Sequence, residues 1–154
     1  MKRFLVFAIA LALLAATSSV IDNAARAQDA ANVIKYRQAV MGSMGAHMRA
    51  IVAVAKGEVG FVAHVPGHAA GIQAIAGMIA DMFPAATGSG ETRAKPEIWS
   101  DRKGFEAAIA NLQAAAANLV KVAGSGDRAA IGGALQATGK TCGGCHKPYR
   151  KPKN

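Results

Sequence analysis

The sequence predicts an all-α protein folded as an antiparallel four-helix bundle, on three observations. Apolar residues recur at alternating three- and four-residue steps in four separate segments, the mark of helices with one buried face. Capping and stopping residues bracket those segments, and no run alternates apolar and polar residues as a strand would. The first and last connections are short and the middle one is long, a pattern of links that suits a bundle.

Ahead of the bundle, residues 1–27 carry a basic start at Lys2 and Arg3, an apolar run from Phe4 to Ala16, and Ala25-Arg26-Ala27 as a small-residue cleavage site. That order is the pattern of a cleaved secretory signal peptide. The apolar run is too short to span a bilayer comfortably, so no permanent membrane anchor is expected. Residues 28–154 form the expected domain, a length that supports one core.

The first helix is predicted from Asp29 to about Lys56. Val33, Tyr36/Arg37, Val40/Met41, Met44, His47/Met48, Ile51 and Ala55 mark its stripe, with Asp29 as N-cap and Gly57 as stop. The second is predicted from Pro66 to Met82, with Ile72, Ile75, Ile79 and Met82 inward and Pro84 ending it. From Phe83 to Trp99, Pro84, Gly88, Gly90 and Pro96 predict a connection unusually long for a bundle, and such loops often carry function. Ser100 or Asp101 caps the third helix, which carries Phe105, Ile109, Leu112, Ala116 and Leu119/Val120 and stops at Gly124-Ser125-Gly126. Asp127 caps the fourth, where Ile131, Leu135, Thr138, Cys142 and Cys145/His146 follow one face toward Tyr149.

Both cysteines of the chain lie in Cys142-Gly143-Gly144-Cys145-His146. This spacing reads as a c-type haem attachment site: two sulfurs form thioethers with the haem vinyl groups, and the adjacent histidine coordinates the iron. A structural zinc site needs four ligands, and no second Cys/His pair stands at finger-like spacing. A thioredoxin-like centre belongs in a βαβ setting, whereas the pattern here is helical. Bacteria attach haem covalently outside the cytoplasm, so the export signal and the motif agree on a periplasmic protein with one covalent haem c per chain.

On a helix, Cys142, Cys145 and His146 stand at i, i+3 and i+4 and project toward one flank. The opposite wall must come from another helix. The first helix offers Met41 and Met44, with Arg37 one turn before Met41; a thioether there could be a distal iron ligand, and the arginine could pair with a haem propionate. Methionine at helical spacing is usually a core filler, and Met48, Met78 and Met82 offer the same group, so spacing alone leaves the distal ligand open. His47, His64 and His68 could also ligate iron or a metal, although isolated histidines are more often satisfied surface or core residues.

The whole sequence has a formal charge of +9, and residues 28–154 keep 15 basic and 8 acidic side chains. The basic groups are scattered except for Lys147, Arg150, Lys151 and Lys153. Without an aromatic stacking set or a DNA-binding motif this charge does not point to nucleic acid. It suits acidic redox partner proteins, or solubility alone. No nucleophile and base accompany the motif, so no enzyme is expected.

Three segments resemble a known family, the class II c-type cytochromes, which comprise cytochrome c′ and the low-spin cytochrome c-556 group. They are Lys35-Tyr36-Arg37-Gln38-Ala39-Val40-Met41, Ala94-Lys95-Pro96-Glu97-Ile98-Trp99, and Cys142-Gly143-Gly144-Cys145-His146-Lys147-Pro148-Tyr149-Arg150. The resemblance implies that Cys142 and Cys145 are the thioether positions, His146 the proximal ligand and Met41 the distal residue. It also implies that Arg37 and Gln38 are the propionate-side pair, that Thr92 and Arg93 lie at the haem edge, and that Arg150 is a basic residue near the proximal imidazole. In the low-spin branch the methionine binds iron and the protein transfers electrons, the reading favoured here. The alternative is a five-coordinate, high-spin cytochrome c′ that binds NO or CO in an apolar distal pocket. The family commonly pairs through its first two helices, so a homodimer is expected there, with Gly71 and Gly77 allowing close approach.

Overall fold

The computed structural model describes residues 2–152, with side chains at Arg26 and from Gln28 onward. Helix α1 spans Lys2–Ala55. No glycine or proline precedes Gly42, so nothing breaks the helical course at residue 29, and Asp29 lies inside α1 instead of capping it. The export signal expected over residues 1–27 falls, apart from its backbone course and Arg26, outside the described residues.

Gly57 stops α1 as expected. It adopts φ 75°, and the Gly57 and Glu58 amides donate to the Val54 and Ala53 carbonyls at 3.0 and 2.9 Å, the paired bonds of a Schellman motif. Helix α2 spans Val65–Met78 with Pro66 in its first turn, and a 3-10 turn over Ala80–Met82 replaces the predicted last turn. Pro84 has no amide to give the Ala80 carbonyl, which accepts instead from Phe83 N at 3.4 Å and Arg102 Nη2 at 3.3 Å.

The long connection is less irregular than its composition suggests. It contains a short helix α3, Glu97–Ser100, and an antiparallel bridge between Ala94 and Arg150. Helix α4 spans Arg102–Ala123 and α5 spans Arg128–Tyr149. Of the two caps expected for α4, Ser100 or Asp101, it is Asp101 that accepts from Gly104 N, and α5 has its predicted cap, Asp127, accepting from Ala129 N and Ala130 N.

The long helices close a ring in which α1 packs on α2, α2 on α4, α4 on α5, and α5 on α1. Each contributes fully buried side chains to one core, among them Ile51, Ile72, Leu119 and Ile131. Burying each such side chain stabilises the fold by about 1.5–3 kcal/mol. The closing α1/α5 pair sets the helix that bears the cysteine motif against the helix that bears Met41, Met44 and Met48.

Candidate functional site

Cys142, Cys145 and His146 occupy successive turns near the end of α5, each half-buried, with Gly143 and Gly144 exposed between them. Both thiols are free, and they pack against the edge of the core. Burial pushes both thiols up; a backbone hydrogen bond at Cys142 and the Arg150 charge oppose this at Cys142, and Arg150 opposes it at Cys145. His146 is pushed down, first by burial and then by the charges of Arg150 and Arg93. The neutral imidazole so favoured is the form with a lone pair for a metal.

The end of the long connection brings these arginines together. Lys95 N donates to the Tyr149 carbonyl at 3.0 Å and Lys151 N to the Arg93 carbonyl at 2.8 Å, on either side of the Ala94 and Arg150 bridge. Arg93 therefore stands on the His146 side of the site.

The opposite wall follows from the α1/α5 register. A side-chain carbon built at Gly132 would lie 3.9 Å from Ala55 Cβ, and one at Gly139 would lie 3.9 Å from Met48 Cε. These pairs are two helical turns apart on both helices. Continued two turns further, the same antiparallel register would bring Met41 level with His146. Met41 is half-buried against the core edge, as are Met48, Cys142 and Cys145. Met44 and Met82 are buried in the core, and exposed Met78 lies beside Tyr36 and Asp81. The methionines that spacing left equivalent are thus divided.

Arg37 is only 4% exposed. Its Nη1 donates to Met82 O and Thr87 Oγ1, both at 3.3 Å, and its Nη2 to Thr87 O at 3.2 Å and Thr92 Oγ1 at 2.9 Å. The guanidinium also lies 4.4 Å from the centre of the Phe83 ring. Burial lowers its pKa, and among the described residues no carboxylate comes within ion-pair distance. Gln38 Nε2 donates to Glu91 O at 2.8 Å, and Thr92 Oγ1 also accepts from Ala94 N at 3.1 Å. The expected propionate pair and the loop threonine therefore touch one another or the same loop. A buried cation with only neutral partners is the environment that an added carboxylate would stabilise. With two free thiols and a neutral imidazole, the side chains present fit a haem.

Other side chains support the site without having been expected there. Thr87 is buried under Arg37 and donates to Pro84 O at 2.8 Å; Trp99 Nε1 donates to the same carbonyl at 3.0 Å. Arg102 Nη1 holds Phe83 O at 3.3 Å. Phe83, Phe105 and Tyr149 form an edge-on series linking the loop to the end of α5. Gly71 corrects an expectation: it faces α1 of its own chain, and a side-chain carbon there would lie 2.7 Å from His47 Nε2. Gly77 is exposed with nothing near it.

Residues 32–150 match the family model described as Cytochrome C'. A cytochrome c' from Rhodospirillum rubrum is 37% identical over 151 residues, covering 97% of this chain and 99% of the relative. A cytochrome c-556 from Agrobacterium tumefaciens is 33% identical, covering 80% of this chain and all of the relative. Among solved structures, a cytochrome c' with ligand-controlled dimer dissociation superposes with a TM-score of 0.74 at 31% identity, covering 79% of this chain and 95% of its own. A nitric oxide complex of a cytochrome c prime variant from Alcaligenes xylosoxidans also gives 0.74, at 28% identity, covering 80% and 97%. Family match, identity and shared bundle place the chain in the cytochrome c′ family of class II c-type cytochromes, proteins that carry covalently bound haem c.

Proposed function

We propose that this chain is a periplasmic electron carrier in which Cys142 and Cys145 hold one haem c through thioethers and His146 and Met41 ligate its iron. The observation that supports the reading is the α1/α5 register seen where Gly132 faces Ala55 and Gly139 faces Met48, which, continued two turns, would bring Met41 level with His146. Bound haem supplies an iron that exchanges one electron, and two fixed protein ligands keep its coordination nearly constant between oxidation states. Arg37 and Gln38 would meet the propionates, Thr92 would orient Arg37, and Arg93 and Arg150 would hold positive charge beside the proximal imidazole. The residue 1–27 pattern supports export, and among the described residues no helix is long and apolar enough to cross a membrane.

The ferric absorption spectrum tests the ligation. A low-spin spectrum that turns high-spin in Met41→Ala is expected; a high-spin wild type, or a variant spectrum unchanged from wild type, overturns it. Mass spectrometry of the matured chain should find one covalent haem and loss of residues 1–27.

A second reading is favoured by the nitric oxide complex of the related cytochrome c prime. In it Met41 guards the distal side without ligating, and the ferrous protein binds NO or CO. Ready CO binding by the ferrous wild type would select this reading over the first.

The outer face of α1 and α2 also supports a homodimer. Tyr36 and Met78 are 56% and 38% exposed there, and both line a shallow cleft with Val33 and Pro84. Sedimentation of the haem-loaded protein should find dimers, as in the related cytochrome c' whose dimer dissociates under ligand control.

A further inference from the structure

Backbone pairing gathers basic side chains that the sequence keeps apart. On either side of the Ala94 and Arg150 bridge, residues 93–95 of the long connection run beside residues 149–151. Arg93 and Lys95 are thereby set against Lys147, Arg150 and Lys151: Lys95 Nζ donates to the Lys147 carbonyl at 3.3 Å, and the Arg93 charge acts on Arg150. Lys95 is partly exposed and the other four are exposed.

The fold does not neutralise them. Among the described residues the ion pairs are Lys56 with Glu58 and Arg102 with Glu106, so none of the five reaches a carboxylate. Asp101, the nearby acid at the start of α4, is held by Tyr149 and Gly104. Like charges held together repel, and a partner's negative charge relieves the repulsion. The patch adjoins the haem motif: Lys147 follows His146, Arg150 lies one turn on, and the charges of Arg150 and Arg93 both act on His146. A lipid surface calls for apolar anchors as well as charge. The exposed large apolar side chains among the described residues, Tyr36, Val59, Phe61 and Met78, belong instead to α1, α2 and their connection.

We propose that Arg93, Lys95, Lys147, Arg150 and Lys151 form the docking surface for a redox protein with a carboxylate-rich face. The inference rests on the electron-carrier reading and names the partner's chemistry. Docking there moves one electron from the reduced carrier to the oxidised partner, with no bond made or broken. Steering of this kind raises association rates by about 10–1000-fold at low ionic strength and fades as salt screens it.

The test is stopped-flow oxidation of the reduced, haem-loaded protein by plastocyanin, an acidic blue-copper protein, with uncharged p-benzoquinone as the reference oxidant. The triple variant Lys95→Gln, Lys147→Gln, Lys151→Gln takes three charges from the patch and leaves Arg93 and Arg150 in place. A control, Lys56→Gln, Lys121→Gln, Arg128→Gln, takes three from the other end of the bundle, about 30 Å away along α5. Relative to its benzoquinone rate, the patch variant should react with plastocyanin on the order of tenfold more slowly than wild type at low salt, and the difference should vanish at about 1 M salt. The control should stay within about twofold of wild type. An unchanged haem spectrum establishes that each variant is folded. A patch variant as fast as wild type, or slowed no more than the control, overturns the docking surface and leaves electron transfer standing. A wild type that benzoquinone fails to oxidise overturns the electron-carrier reading and the docking surface with it. Binding to phosphatidylglycerol vesicles that only the patch variant loses, with plastocyanin rates unchanged, assigns the patch to a lipid surface and overturns the proposal.

Discussion

The Tyr149 hydroxyl donates to Asp101 Oδ2 at 2.7 Å, joining the last turn of α5 to the residue that caps α4. Asp101 serves two partners at once, because its Oδ1 accepts from Gly104 N at 3.1 Å. The tie lies three residues beyond His146 and fixes the end of the helix that carries the haem motif.

The bond makes stability depend on alkaline pH. The hydrogen bond to Asp101 first, then burial and that carboxylate's charge, push the Tyr149 pKa from 10 up to about 12. A group whose folded pKa is raised stabilises fully below its unfolded pKa, so this contribution is intact below about pH 10 and lost as pH rises through about 12. Denaturation midpoints measured between about pH 8 and 12 should fall more steeply for wild type than for Tyr149→Phe, which is less stable at neutral pH. Parallel curves would show that the phenol does not titrate in this way.

Arg37→Lys should loosen the long connection. Lysine keeps the charge but cannot present the planar fork that reaches Met82 O, Thr87 and Thr92 together. The expected cost is about 2–4 kcal/mol, read as a lower Tm with new protease cleavage within residues 83–96. A variant that melts and cleaves like wild type would remove Arg37 as the anchor.

Two glycine-to-alanine changes should act in opposite directions. In Gly104→Ala the new methyl meets the Asp101 carboxylate and the Tyr149 hydroxyl, so overpacking should destabilise by about 1–3 kcal/mol despite alanine's helix propensity. In Gly133→Ala the methyl meets nothing within 4 Å, so α5 should gain up to about 1 kcal/mol. Thermal melts of both variants check the pair, and a stabilised Gly104→Ala would contradict the crowding.

Arg150→Gln removes a charge that acts on Cys142, Cys145 and His146. Positive charge beside an iron ligand disfavours the ferric state, so its loss should lower the reduction potential, on the order of tens of millivolts. Potentiometry of wild type and variant decides; a rise or no change refutes the argument.

The long helices are legible because each signal is local. Gly57, Pro66, Asp101 and Asp127 act within a turn of themselves, and their predicted roles match the structure. Asp29 misleads for the same reason: an aspartate qualifies as a cap, but only a break in the preceding helix makes it one, and none is present before Gly42. The last turn of α2 becomes a 3-10 turn because Pro84 acts backward on Ala80, and Arg102, distant in sequence, takes part of the freed carbonyl.

The site divides along the same line. The motif on α5 announces itself by spacing, whereas the choice among methionines depends on the α1/α5 register, which no single segment encodes. Thr87 is one more loop residue in the sequence, and only the fold brings Arg37 across to reach it. Gly71 suggests a bare outer surface, but its emptiness is filled by His47 from a neighbouring helix.

The pairing of residues 93–95 with 149–151 also sets an order of assembly. Residues 149–151 follow in the chain everything they fasten. The middle connection and the Asp101 to Tyr149 tie therefore cannot be completed before the end of α5 is available to them. Closure of this bundle waits for its own tail, and a chain cut short before Tyr149 would emerge with its central seam open however well its helices had formed.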